Sequence, residues 1–69
     1  MIVETTQESG SEDPVRFWYE GSPLEVLEIE DRWYSSGVVY FKVFADNAKH
    51  YILMHNSHND LWGGKEVQI

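Results

Sequence analysis

The chain has 69 residues, no cysteine and a formal net charge of −7. That excludes a disulfide framework and a zinc–thiolate site, and it leaves room for one small domain. A domain of this size buries only about 60% of its unfolded surface, so its core must come from large side chains. Three Trp, four Tyr and three Phe supply them.

No apolar run approaches the ~18 residues of a membrane span. The opening MIVETTQESG lacks the basic and apolar regions of a secretion signal. The expectation is a cytoplasmic protein with no membrane contact. Glu4, Glu8, Glu12 and Asp13 put four of the twelve acids into residues 1–14, where there is no base. The remaining eight acids and five bases leave −3 on the rest. Arg16, Arg32, Lys42, Lys49 and Lys65 are scattered, whereas a grip on phosphates needs clustered bases. Nucleic acid is disfavoured as a partner.

ETTQESGSEDP, residues 4–14, has too few apolar groups to offset its ordering entropy. Residues 1–14 therefore read as a disordered acidic tail, with an edge strand through Ile2 and Val3 as the alternative. The single folded domain spans 15–69. VRFWY is the first strand, with Val15, Phe17 and Tyr19 on one face and Arg16, Trp18 and Glu20 on the other. EGSP is a turn.

LEVLEIEDRWY changes phase if it is a strand. A β-bulge near Leu27–Glu28 would return Val26 and Ile29 to one face. A helix competes, because Ser22-Pro23-Leu24-Glu25 has the form of a capping box with proline at the first helical position. After the loop Ser35–Gly37, VVYFKVFA is dense in β-branched and aromatic residues and reads as a strand. Phe41, Val43 and Ala45 share one of its faces, and Tyr40, Lys42 and Phe44 the other. Asp46-Asn47-Ala48 suits a tight hairpin. KHYILMH returns beside it, HNSHND follows, and after a flexible Gly63-Gly64 a short strand ends the chain. The fold class is all-β: a small, twisted, antiparallel five-stranded sheet or partial barrel, SH3-like.

FWYEG, VLEIEDRW, YFKV, HYIL and the later Trp62 together resemble a family of small uncharacterised bacterial β domains. In that family an aromatic-x-aromatic-x-Gly hairpin leads to a D-R-W-like triplet, a Y-F/W-x-V strand and a closing Trp strand. The resemblance covers about Val15 to Val67 and implies that Leu24–Trp33 is a strand. It also implies an association of some members with translesion DNA-polymerase components. It transfers no functional residue, and Gly63-Gly64-Lys65 departs from the pattern where apolar residues are usual.

His55, His58 and Asp60 are the residue types of a metal site. They sit among Asn56, Ser57 and Asn59, which form turns by bonding back to the main chain, and the plain hairpin loop is preferred. Glu25, Glu28, Glu30 and Asp31 form an acidic run that reads as a solvated face rather than catalytic carboxylates. No enzyme activity, cofactor or metal is expected. Trp33 reads as core.

If Phe17, Tyr19, Phe41, Val43, Tyr51 and Leu53 fill the interior, Trp18, Tyr40, Phe44, Ile52 and Met54 face the other way. Either the tail or a loop covers them, or they form an exposed patch of the kind that marks a contact surface. The expected function is a non-enzymatic protein-interaction module using those five residues, monomeric or weakly homodimeric. Its acidity favours a partner with a basic surface. The alternatives are a single-stranded nucleic-acid binder stacking bases on Trp18, Tyr40 and Phe44, and a His-based metal-binding protein.

Overall fold

A computed structural model describes residues 1–6 and 12–68. Six strands follow each other around one antiparallel sheet: β1 (Val3–Thr5), β2 (Pro14–Tyr19), β3 (Ser22–Ser35), β4 (Val38–Ala45), β5 (His50–Asn56) and β6 (Leu61–Val67). The sheet curls into a half-barrel with its apolar side inward. The helical alternative for residues 22–33 does not form, since that whole stretch is strand.

From β2 onward every connection is a hairpin, and its turn residues explain it. Glu20-Gly21 and Ser36-Gly37 both have positive φ at each position, 51° and 82° in the first and 51° and 81° in the second. These are the mirror-image two-residue turns that match strand twist. Between β4 and β5, Ala48 takes φ 66°, and the Ala48 and Ala45 amides donate to the Ala45 and Lys49 carbonyls, each at 3.0 Å. Between β5 and β6 the asparagines cap the loop. Asn56 Oδ1 accepts from the His58 amide at 2.9 Å, and Asn59 Oδ1 from the Leu61 amide at 3.1 Å.

The curl comes from β3, which serves two partners. Its first residues, Ser22–Glu25, pair with β2 and the stretch from Val26 to Ser35 pairs with β4. The bulge expected from the phase change is present: Val26 opposes Ala45 and Glu28 opposes Phe44, so Leu27 is the inserted residue. Val26 and Ile29 consequently both pack on the core. A second bulge, at Glu30 between the Ile29–Val43 and Asp31–Lys42 pairs, was not signalled by the sequence. Each bulge adds a local bend and twist.

Phe17, Val43, Ala45 and Leu53 are fully buried, and Leu24, Phe41 and Tyr51 nearly so. Phe17 and Tyr19 set their rings edge-on to Tyr51 at 5.1 and 4.9 Å, a favoured aromatic geometry. The Tyr51 hydroxyl, carried into this core, accepts from Asn47 Nδ2 at 2.9 Å. The inward parity expected for Phe17, Tyr19, Phe41, Val43, Tyr51 and Leu53 is the one observed.

Four sequence expectations are corrected. Val3–Thr5, placed in the disordered tail, is a sixth strand on the β2 edge, and the Ile2 carbonyl accepts from the Trp18 amide at 3.0 Å. The part of that expectation covering residues 7–11 lies outside the described residues. Val15 is exposed and Pro14 buried, because a register shift at Glu4–Thr5 makes Val15 the extra residue. Gly63-Gly64, expected to be a flexible link before a short last strand, lies inside a seven-residue β6 that begins at Leu61. Gly64 lets the end of the Met1 side chain come close: a Cβ at that position would lie 2.6 Å from Met1 Cε and 3.0 Å from Leu53 Cδ2. Met1 thus lies across the gap between β1 and β6, where its nitrogen is 3.4 Å from the Trp62 carbonyl oxygen. Trp33, expected in the core, faces outward for the reason given next.

Candidate interaction surface

Strand pairing decides which outward side chains meet. On the convex face, Trp33 opposes Tyr40 and Tyr40 opposes Met54. In the rows beside them Lys42 opposes Ile52 and Phe44 opposes His50. Tyr40, Phe44, Ile52 and Met54, all expected to face outward, therefore share one face of neighbouring strands and are half-buried there. Trp18 belongs to the same face of the sheet but sits opposite Pro23 in the β2–β3 hairpin, apart from the other four.

Trp33 takes the place in the patch that Trp18 was expected to hold. The Glu30 bulge moves Arg32 to the concave side, with its guanidinium 5.6 Å from the Phe41 ring centre and 3.1 Å from Asp13. The next residue, Trp33, then points out and stacks on Tyr40 with ring centres 5.3 Å apart and planes within 2°. A signal for this was present. Counting outward from the two-residue turn at Ser36-Gly37 places Trp33 opposite Tyr40, and opposed residues share a face. Trp33 is 38% exposed, and Leu61, outward on β6, 63% exposed. Next to Met54 the sheet offers Gly63, which leaves the surface low between Met54 and Leu61.

The charges around the patch are unevenly distributed. On the β3 side, Glu28 and Asp31 face out with no ion pair among the described residues, while Glu30 meets His50 Nδ1 at 2.6 Å. Lys42 and Lys65, opposite Ile52 on either side, also lack an ion pair among the described residues. Arg16 is bound at 2.7 Å to Glu25. That hydrogen bond and charge, helped by Glu4, raise its pKa further and keep it cationic. The acidic run of β3 is thus divided among separate neighbours.

His55, His58 and Asp60 do not converge. His55 is a strand residue, its side chain only 13% exposed, and it stacks on Trp62 at 4.5 Å while Nε2 meets Asp60 Oδ1 at 2.6 Å. His58 instead lies over Gly37, where a Cβ would approach its Nε2 to 2.9 Å. Among the described residues no three metal-ligating side chains come together.

Fold and site together define a class: a small curled antiparallel meander that carries a stacked aromatic patch on its convex side. Comparison of the chain with protein-family models, curated proteins and solved structures gave no match.

Proposed function

We propose that this domain is a non-enzymatic interaction module that docks onto a protein partner through the convex Trp33–Tyr40–Ile52–Met54 face. The observation that carries this reading is the Trp33–Tyr40 stack, a rigid pair of large rings left partly in water while a complete core exists on the other side of the same strands. Tryptophan and tyrosine dominate binding hot spots because they bury much area at low entropic cost. A convex patch has no groove for a peptide, so its natural complement is a concave surface on a folded protein. Glu28 and Asp31 at its border favour positive charge there. A protein partner is also what the family resemblance implies, and a DNA-polymerase component is then the first to test.

The test is a photo-crosslinking residue at position 54, compared with the same residue at position 15, in cells expressing the domain. A discrete crosslinked protein is expected from position 54 alone, and it should vanish when Trp33→Ser is added. Equal products from both positions would contradict the proposal.

One observation favours a second reading, base stacking by single-stranded nucleic acid. Lys42 and Lys65 flank the aromatic face without an ion pair among the described residues, and rings beside cations are how bases are held. Such binding weakens steeply with salt, so an oligonucleotide titration at two salt concentrations separates the two.

A further inference from the structure

We infer that the open edge of β3 past Glu30 is a second docking site, one that takes an extended, basic segment of a protein partner as an added strand. β2 runs beside β3 only as far as Glu25. Beyond that point the two strands part around a cleft of about 270 Å³ between Val15 and Leu27. From there to Ser35, β3 has β4 on one side and, among the described residues, no strand on the other. Residues 30–35 are all exposed.

The main chain of this edge has bonds to give. Bonded and free positions alternate along an antiparallel pair, and Ser35 and Val38, flanking the two-residue turn, are the first bonded pair. The N–H and C=O of Tyr34 therefore point to the open side, and so do those of Arg32. The Arg32 amide donates to the Asp31 carboxylate at 2.8 Å, as an amide turned away from β4 can. The Tyr34 amide has no partner among the described residues.

The side chains state what the added strand must carry. Trp33, 38% exposed, and Asp31 stand on the convex side, while Tyr34, 69% exposed, stands on the concave side with Arg32. A strand laid here has a ring on each of its faces, and opposed side chains on neighbouring strands stabilise one another. Asp31 lacks an ion pair among the described residues, whereas Arg32 is held by Asp13 at 3.1 Å. The complement is a cation opposite Asp31 and an apolar side chain two residues away, opposite Trp33. A cation that draws Asp31 off also frees the Arg32 amide for a further main-chain bond. Strand addition takes its affinity from such bonds and its selectivity from alternate side chains. A second copy suits the edge poorly, since each copy carries a net charge of −7.

The experiment uses the full chain, labelled with ¹⁵N, and the blocked peptide Thr-Val-Thr-Lys-Thr-Val-Thr, which reads the same in either strand direction. Its controls carry glutamate in place of lysine, or a methyl group on every amide nitrogen. The lysine peptide should shift the amides of residues 31–35 saturably at millimolar concentration and slow solvent exchange of the Tyr34 amide. Neither control should do so. Tyr34→Pro removes the open donor where an edge tolerates proline, and it should abolish the saturable shift. Glu28→Gln with Asp31→Asn keeps the backbone groups and should weaken the peptide about threefold, a reading that stands even if the proline variant fails to fold. Equal shifts from either control, or a Tyr34 amide that exchanges as fast with the peptide as without it, would overturn the assignment. So would shifts of the same amides on raising the protein concentration alone, which would give the edge to a second copy. The crosslink from position 54 is read on other residues, so either reading can fail while the other stands.

Discussion

Ala48 holds φ 66° at the third position of the β4–β5 turn, a conformation that costs an L-residue about 1–2 kcal/mol. Glycine adopts it freely but loses ~0.5–1 kcal/mol through its more flexible unfolded state. Ala48→Gly should therefore stabilise the domain by roughly 0.5–1 kcal/mol, a rise of several degrees in melting temperature at this size. A fall on calorimetry would mean that the turn differs from the one described. The histidines separate similarly. His55→Ala removes a stack on Trp62 and a bond to Asp60 and should cost about 1–2 kcal/mol. His58→Ala, on the exposed loop, should stay within ~0.5 kcal/mol. Addition of EDTA should leave both melting curves unchanged, and a large drop would point to a metal. The difference between the histidines was not legible from HNSHND. A turn-rich composition identifies the loop, but which flanking residue faces the core follows from parity along β5, where His55 continues the series of Tyr51 and Leu53.

Bulges and edges differ in the trace they leave in a sequence. The phase change between Val26 and Ile29 could be read because it interrupts an apolar alternation, and an extra residue is the only way to keep both inside. The Glu30 bulge left no such trace in the alternation, since Asp31 beside it is polar whichever way it faces, and only the count back from the Ser36-Gly37 turn places Trp33 outward. Leu27, extruded and 62% exposed, supplies a direct check. Leu27→Lys should alter stability by less than ~0.5 kcal/mol. Deleting Leu27 should leave a regular ladder, with Val26 and Ile29 two apart on the core face, so the variant should still unfold cooperatively while losing the local bend that the bulge adds. Loss of the cooperative transition would mean that Leu27 is not the inserted residue. The β1 strand escaped prediction for a different reason. Three residues beside a long polar stretch carry little pattern, and what holds them is tertiary: the Trp18–Ile2 bond and the packing of Met1 on Gly64. Removal of residues 1–6 should shift the amide signals of Trp18 and Gly64 and lower the melting temperature by several degrees. A spectrum unchanged over β2 and β6 would show that β1 contributes nothing.

At the scale of the whole molecule, a half-barrel has one concave side to fill, and Phe17, Phe41, Val43, Tyr51 and Leu53 fill it. Strands alternate, so the same sequence must place an equal number of side chains on the convex side. Nothing in the fold requires them to be Trp33, Tyr40, Ile52 and Met54. Polar residues would serve the sheet as well and would guard better against aggregation. This surplus of apolar area outside a complete core is the ground for assigning a docking face, and it makes the two sides of β4 unequal in a measurable way. Phe41→Ala should cost ~3–5 kcal/mol through the cavity it leaves, most of the stability of so small a domain. The measurement that bears most directly on the account is the melting curve of the Trp33→Ser, Tyr40→Ser double variant, read beside its crosslinking yield from position 54. A cooperative transition within several degrees of the parent is expected, together with loss of the crosslinked partner. A double variant as unfolded as Phe41→Ala, or one that stays folded and keeps its crosslink, would contradict it.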